Sequence, residues 1–131
     1  MASHPALKTG QCVVMDGHNL SAKHVIHTVG PRVRGGRVTS QDESDLAAAV
    51  SAVLSAAAGA GAVSIAIPCI STGIFGFPVQ SACDIIVRVC REYCACSQDT
   101  SLRSILLIDI DQSKVDALRQ EEGSLRVNWQ P

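Results

Sequence analysis

The amino-acid sequence predicts an α/β domain of three layers, with helices on both faces of a central, mostly parallel sheet. Three observations carry this. Short runs rich in β-branched residues are each closed by Gly or Pro. Segments of helical periodicity lie between them. One run, Ile105-Leu106-Leu107-Ile108, is apolar at every position, as in a strand covered on both faces.

The elements follow in the order β, β, α, β, α, β, α. Cys12-Val13-Val14-Met15 forms a short strand closed by Asp16-Gly17. His24 to Val29 forms a second, ended by Gly30-Pro31. Ser40-Gln41-Asp42-Glu43 has the Ser-x-x-Glu form of a capping box. Leu46, Val50, Val53, Leu54 and Ala57 then recur at helical spacing, and Gly59 and Gly61 stop the helix, so it spans 41–58. Ser64 to Ile67, closed by Pro68, is a strand, which completes a strand–helix–strand unit with a right-handed crossover. A helix over 79–94 presents Ala82, Cys83, Ile86, Cys90, Tyr93 and Cys94 on its inner face. After the all-apolar strand, a last helix over 112–121 turns Val115 and Leu118 inward. The tail from Gly123 to Pro131 is expected to be loose, with Trp129 free to dock.

Composition bounds the function. With 131 residues, 47% apolar and 18% charged, the chain is one globular domain. Aromatics are 3%, so aliphatic residues and Cys must fill the core. The net charge is −1 and no basic block stands out. Direct nucleic-acid binding through bulk charge is not indicated. No apolar stretch is long enough to span a bilayer, and Met1–Gly10 does not resemble a signal peptide. The expectation is a cytoplasmic or nuclear protein without a membrane partner. Of six cysteines, Cys83, Cys90 and Cys94 fall at i, i+7 and i+11 on one helical face, as small core hydrophobes. No Cys-x-x-Cys pair or fourth ligand supports a metal site. His27 is expected to pack or to make a supporting hydrogen bond, and His4, His18 and His24 to be solvated. No Ser-His-Asp arrangement or general base can be placed, so no catalytic residue is assigned.

The informative segment is Pro68 to Pro78. It leaves the C-terminal end of a parallel strand and feeds a helix, the crevice where open α/β sheets bind ligands. Gly73 and Gly76 allow close backbone approach, and successive N–H groups there can form an anion nest next to a helix N-terminus. Ser71 and Thr72 supply hydroxyls, and Ile74, Phe75 and Phe77 apolar walls. Such a loop suits a diphosphate flanked by sugars, but Gly-x-x-Gly between two prolines is also a common tight turn. Cys69 is either a small buried residue at a strand end or a thiol activated by the helix N-terminus. Asp109 and Asp111 end the last strand, where acids can meet a ligand, and equally Asp111 or Ser113 can cap the last helix.

Two segments carry a family resemblance. Val25-Ile26-His27-Thr28-Val29-Gly30-Pro31 resembles the "VIHxVGP" strand of macrodomains. Ile65 to Pro78 resembles that family's "IAxPxISTGxFGxP" segment. Gly10-Gln11-Cys12 and Leu20-Ser21-Ala22-Lys23 resemble the stretch before the first, and the likeness covers residues 6–122, with 123–131 as a tail. Its flavour is that of the macrodomains of macrodomain-containing poly(ADP-ribose) polymerases. The resemblance implies ADP-ribose, free or attached to a protein, as ligand and partner, with no cofactor. It implies that Ser71, Thr72, Gly73, Ile74, Phe75 and Gly76 cradle the diphosphate and distal ribose. It places Ile110 and Asp111 near the adenine, with an aliphatic side chain where many members stack an aromatic. The family's "GDIT"-like and "NAAN"-like motifs and its first glycine-rich loop do not precede the Gly10 match. This implies a domain truncated at its N-terminus, a missing central strand, and an incomplete sheet through which chains can associate. It also favours a binding module over an ADP-ribosyl or O-acetyl-ADP-ribose hydrolase, with a degenerate protein-interaction domain as the remaining reading.

Overall fold

The computed structural model describes residues 7–17, 22–97 and 99–124, the last four for their backbone only. His4, His18, Trp129 and the tail beyond Ser124 lie outside them. The elements follow the expected order: β1 (Cys12–Asp16), β2 (His24–Thr28), α1 (Ser40–Gly59), β3 (Ser64–Ile67), α2 (Val79–Cys96), β4 (Ser104–Leu107) and α3 (Gln112–Ser124). Helix α3 is thus three residues longer than its periodicity predicts.

Helix α1 is capped by Thr39, one residue before the expected Ser40 cap. Thr39 Oγ1 accepts from Asp42 N–H at 3.0 Å, and Thr39 N–H donates to the Asp42 carboxylate at 2.9 Å. The shorter Asp closes the capping box that the sequence reading gave to Ser40 and Glu43. One face of α1 then buries Leu46, Ala49, Val50, Val53, Leu54 and Ala57. Each buried Leu or Val there contributes about 1.5–3 kcal/mol. These side chains meet Ile67, Phe77, Ala82, Ile85, Ile86 and Leu102 in the main core. A smaller cluster, Cys69, Cys83, Val87, Ala117 and Leu118, seats α3 on α2.

The strands form two pairs instead of one continuous sheet. β1 and β2 pair antiparallel, Cys12 opposite Thr28 and Asp16 opposite His24. β3 and β4 pair parallel, Ser64 beside Ser104 and Ile67 beside Leu107. Among the described residues nothing joins β2 to β3 by a ladder. Between them lies a cavity of about 890 Å³, lined by residues 22–28 of β2 and its approach, 62–68 of β3 and its flanks, and Val53 and Ala57 of α1.

Hydrogen-bond register shows what faces this slot. Gly17 N–H donates to Lys23 C=O at 2.9 Å, so the odd-numbered residues of β2 bond to β1. The N–H and C=O groups of His24, Ile26 and Thr28 therefore point away from β1. Ser104 and Ile108 N–H donate to Val63 and Ile67 C=O at 3.2 and 3.0 Å, which leaves Ser64 and Ala66 facing away from β4. No strand among the described residues pairs with either edge.

The run 105–108 departs from the expectation of cover on both faces. Ile65, Ile67, Ile105 and Leu107 pack under the helices, but Leu106 is 54% and Ile108 48% exposed. The described residues form the expected α/β arrangement, with helices packed over the strand pairs. His27 also departs from its expected packed position. It sits exposed on the rim of the slot, on the face of β2 opposite Ile26.

Candidate functional site

The loop from Pro68 to Pro78 leaves the end of β3 and enters α2, as its sequence predicts. Its backbone is bent by Ser71, at φ +69°, and Gly76, at φ +75°. Left-handed backbone is rare for a residue with a side chain. At Ser71 it is held by internal bonds: Phe77 N–H donates to Ser71 C=O at 2.8 Å, Thr72 Oγ1 to Cys69 C=O at 2.7 Å, and Gly76 N–H to Gly73 C=O at 3.0 Å. These bonds leave the N–H groups of Gly73, Ile74 and Phe75 without an acceptor among the described residues. Three consecutive free donors make an anion nest. Helix α2 begins beside them behind Pro78 with no side-chain cap, so its own dipole also favours negative charge there. A side chain at Gly73 would meet open space, and Ile74 is 95% exposed. Phe75 is half-buried and Phe77 is core.

The loop rests on the segment that follows β2. A methyl group at Gly30 would overlap Ser71 Oγ and Ile70 Cγ2, so only glycine fits there. The Ser71 hydroxyl is buried with no partner among the described residues. Three residues on, Val33 N–H donates to Phe75 C=O at 2.8 Å. The two motifs of the sequence reading are therefore packed against each other.

The other rim is the end of β4. Asp109 braces it: one carboxylate oxygen accepts from Cys69 N–H at 3.2 Å and the other from Asp111 N–H at 3.0 Å. Asp111 caps α3, accepting from Ser113 N–H at 2.9 Å and Ser113 Oγ at 2.7 Å. The Ser113 hydrogen bonds hold its carboxyl below the usual range. Asp111 thus takes the capping role, one of the two expected of it. Ile110 between them is fully exposed, an apolar surface at the loop's flank.

Cys69 proves to be the buried strand-end residue of the two readings. Its Sγ lies 3.8 Å from Cys83 Sγ. The hydrogen bond with Cys83, burial, and the nearby charges of Cys83 and Asp109 push its thiol far up, opposite to activation. Cys83 and Cys90 are core, and burial together with Cys94 pushes Cys90 up to about 12. No group of His, Cys, Asp or Glu among the described residues could hold a metal ion.

Two features escaped the sequence reading. The Asp109 brace joins residues far apart in sequence and has no local signature. The second is a cluster of cations beside the loop, Arg32, Arg34 and Arg37, all exposed. A whole-chain balance of charge hid it, although its Arg-x-Arg-Gly-Gly-Arg spacing is visible.

Comparison with known proteins places this geometry in context. A family model described as the Macro domain matches residues 1–86. The macro domain-containing protein RSc0334 of Ralstonia nicotianae is 48% identical over 66% of this chain and 49% of its own length. The ADP-ribose glycohydrolase MACROD2 of Xenopus laevis is 36% identical over 79% of this chain and 25% of its own. Among solved structures, a mutant macrodomain of Oceanobacillus iheyensis with ADPR superposes with a TM-score of 0.78 at 25% identity. It covers 91% of this chain and 61% of its own. The chain thus spans a quarter to about half the length of these two curated relatives.

Proposed function

The chain belongs to the Macro domain family, and from that premise we propose that it binds ADP-ribose, free or attached to a protein, through the 71–76 loop. The observation that carries this reading is the run of free N–H groups at Gly73, Ile74 and Phe75, set beside the uncapped start of α2. Such donors satisfy a diphosphate without a net positive protein. Ser71 and Thr72 shape the loop more than they donate, since the Thr72 hydroxyl is spent on Cys69 C=O. Ile74 and Phe75 provide apolar contact for sugar faces, and Ile110 stands as an aliphatic wall toward the base. Asp111 acts at this rim through the α3 start that it caps.

The test is isothermal titration of the chain with ADP-ribose, paired with Gly73→Glu. The open space at Gly73 accepts the side chain without disturbing the fold, but its carboxylate competes for the nest. Micromolar binding by the wild type and its loss in a variant with an unchanged melt are expected. Equal affinity for the two proteins would overturn the loop assignment.

A second reading, hydrolysis of ADP-ribose conjugates, is supported by the likeness to a relative named as a glycohydrolase. It makes a separate prediction: release of ADP-ribose from a modified protein above the rate without enzyme. Binding without release supports the module reading.

A further inference from the structure

The arginine cluster beside the nest has a defined geometry. After the buried Pro31, the chain runs past Arg32, Val33 and Arg34 and turns at Gly35-Gly36, with φ +64° and +68°. Arg37 N–H closes the turn on Arg34 C=O at 3.3 Å. Two positive φ values in the middle of a four-residue turn bring its ends, Arg34 and Arg37, to within about 7 Å of each other. Val33, between Arg32 and Arg34, turns into the core and ties its N–H to Phe75 C=O at 2.8 Å. Its own C=O lies near Gly76, 3.8 Å from where a side chain there would begin. The backbone that carries the three cations is thus tied alongside the proposed ligand loop. No hydrogen bond or ion pair among the described residues holds any of the three guanidinium groups.

We propose that Arg32, Arg34 and Arg37 form a second anion-recognising face, contiguous with the 71–76 loop. It takes the carboxylates of an acidic peptide segment in the protein that carries the ADP-ribose. The proposal rests on the reading of the loop as an ADP-ribose site and adds the partner's sequence class to it. Exposed guanidinium forks match carboxylates in pairs. The occupant is a peptide and not a nucleic acid for two reasons. Three arginines on a chain of net charge −1 match a few carboxylates but give no extended basic track for a phosphate backbone. The 32–37 segment also offers no aromatic platform for bases: it contains no aromatic residue, and beside it Phe75 is half-buried and Phe77 is core.

The experiment uses the full chain and a variant carrying Arg32→Gln, Arg34→Gln and Arg37→Gln together. Four probes are titrated by fluorescence anisotropy or calorimetry. They are free ADP-ribose, a mono-ADP-ribosylated peptide with glutamates flanking the modified residue, the same peptide with glutamines there, and the unmodified glutamate peptide. The wild type is expected to prefer the acidic modified peptide over the neutral one by about tenfold at low salt, and to lose that preference at about 0.5 M salt. The variant is expected to bind the two peptides equally and free ADP-ribose within about twofold of the wild type. Equal binding of both peptides by the wild type overturns the proposal, as does an undiminished preference in the variant. So does displacement of the acidic peptide by a single-stranded oligonucleotide at lower concentration than by the peptide itself. If free ADP-ribose fails to bind, the loop reading falls, and the unmodified glutamate peptide then decides. Salt-sensitive binding that the three substitutions abolish upholds the arginine face, and no binding sinks it.

Discussion

Gly30 and Ser71 meet face to face. A methyl group at Gly30 would run into the Ser71 hydroxyl and the Ile70 side chain. Gly30→Ala is therefore expected to cost about 1–3 kcal/mol, read as a lower urea midpoint. Ser71 holds left-handed backbone and a buried hydroxyl with no partner among the described residues. Both features are unfavourable for stability, so Ser71→Gly should stabilise the fold by about 1 kcal/mol. Combined, the two changes should cost less than their sum, because the glycine removes the atom that the alanine strikes. Independent, additive melts would show that the two positions do not touch. From sequence, Gly30 was visible only as the end of a strand. Its packing role depends on a contact with a residue far along the chain, which no local pattern encodes.

At the scale of elements, α1 tests the cap. Thr39→Ala should cost about 1 kcal/mol, and Ser40→Ala only a few tenths; the reverse order in denaturant melts would return the cap to Ser40. The sequence placed the helix and its buried face correctly because both follow from periodicity. It missed the cap by one residue because Thr-x-x-Asp and Ser-x-x-Glu overlap there. Helix α2 carries a pH dependence. Burial, with the charge of Cys94, holds Cys90 near 12, and burial holds Cys94 near 11, against an ordinary 9.0. The unfolded chain therefore loses these protons first. Stability from this source is full below about pH 9 and is lost as pH rises toward 12. Cys90→Val should flatten that alkaline fall in the urea midpoint, and an unaltered slope would show that other groups cause it. In the strands, amide exchange should divide by residue parity. Val25 and His27, paired to β1, are expected to exchange more slowly than Ile26 and Thr28. Uniform protection along β2 would mean that its second edge is paired.

For the whole molecule, the order of all seven elements was legible in the sequence, because breakers and periodicity mark each one. The place of the Pro68–Pro78 loop, after a strand and before a helix, was legible from its breakers and its resemblance. The separation of the sheet into two pairs was legible only through the resemblance, since no strand's own residues reveal which neighbour it lacks. The one-sided exposure of Leu106 and Ile108 was not legible at all. An all-apolar run has the same pattern whether or not anything covers its second face, and cover is a property of other parts of the fold.

The slot between β2 and β3 also gives the molecule a mechanical character. In a continuous sheet, parting two strands means breaking a row of backbone hydrogen bonds together. Here, among the described residues, no such row joins β2 to β3, and both strands rest on α1 through side-chain packing. At one end, however, Val33 N–H is tied to Phe75 C=O and Gly30 is wedged against Ser71. The architecture is that of a clothes-peg, with free jaws at the strands and its spring at the anion nest. Any load that spreads the jaws bears on the spring, so the slot and the proposed binding loop share a pivot.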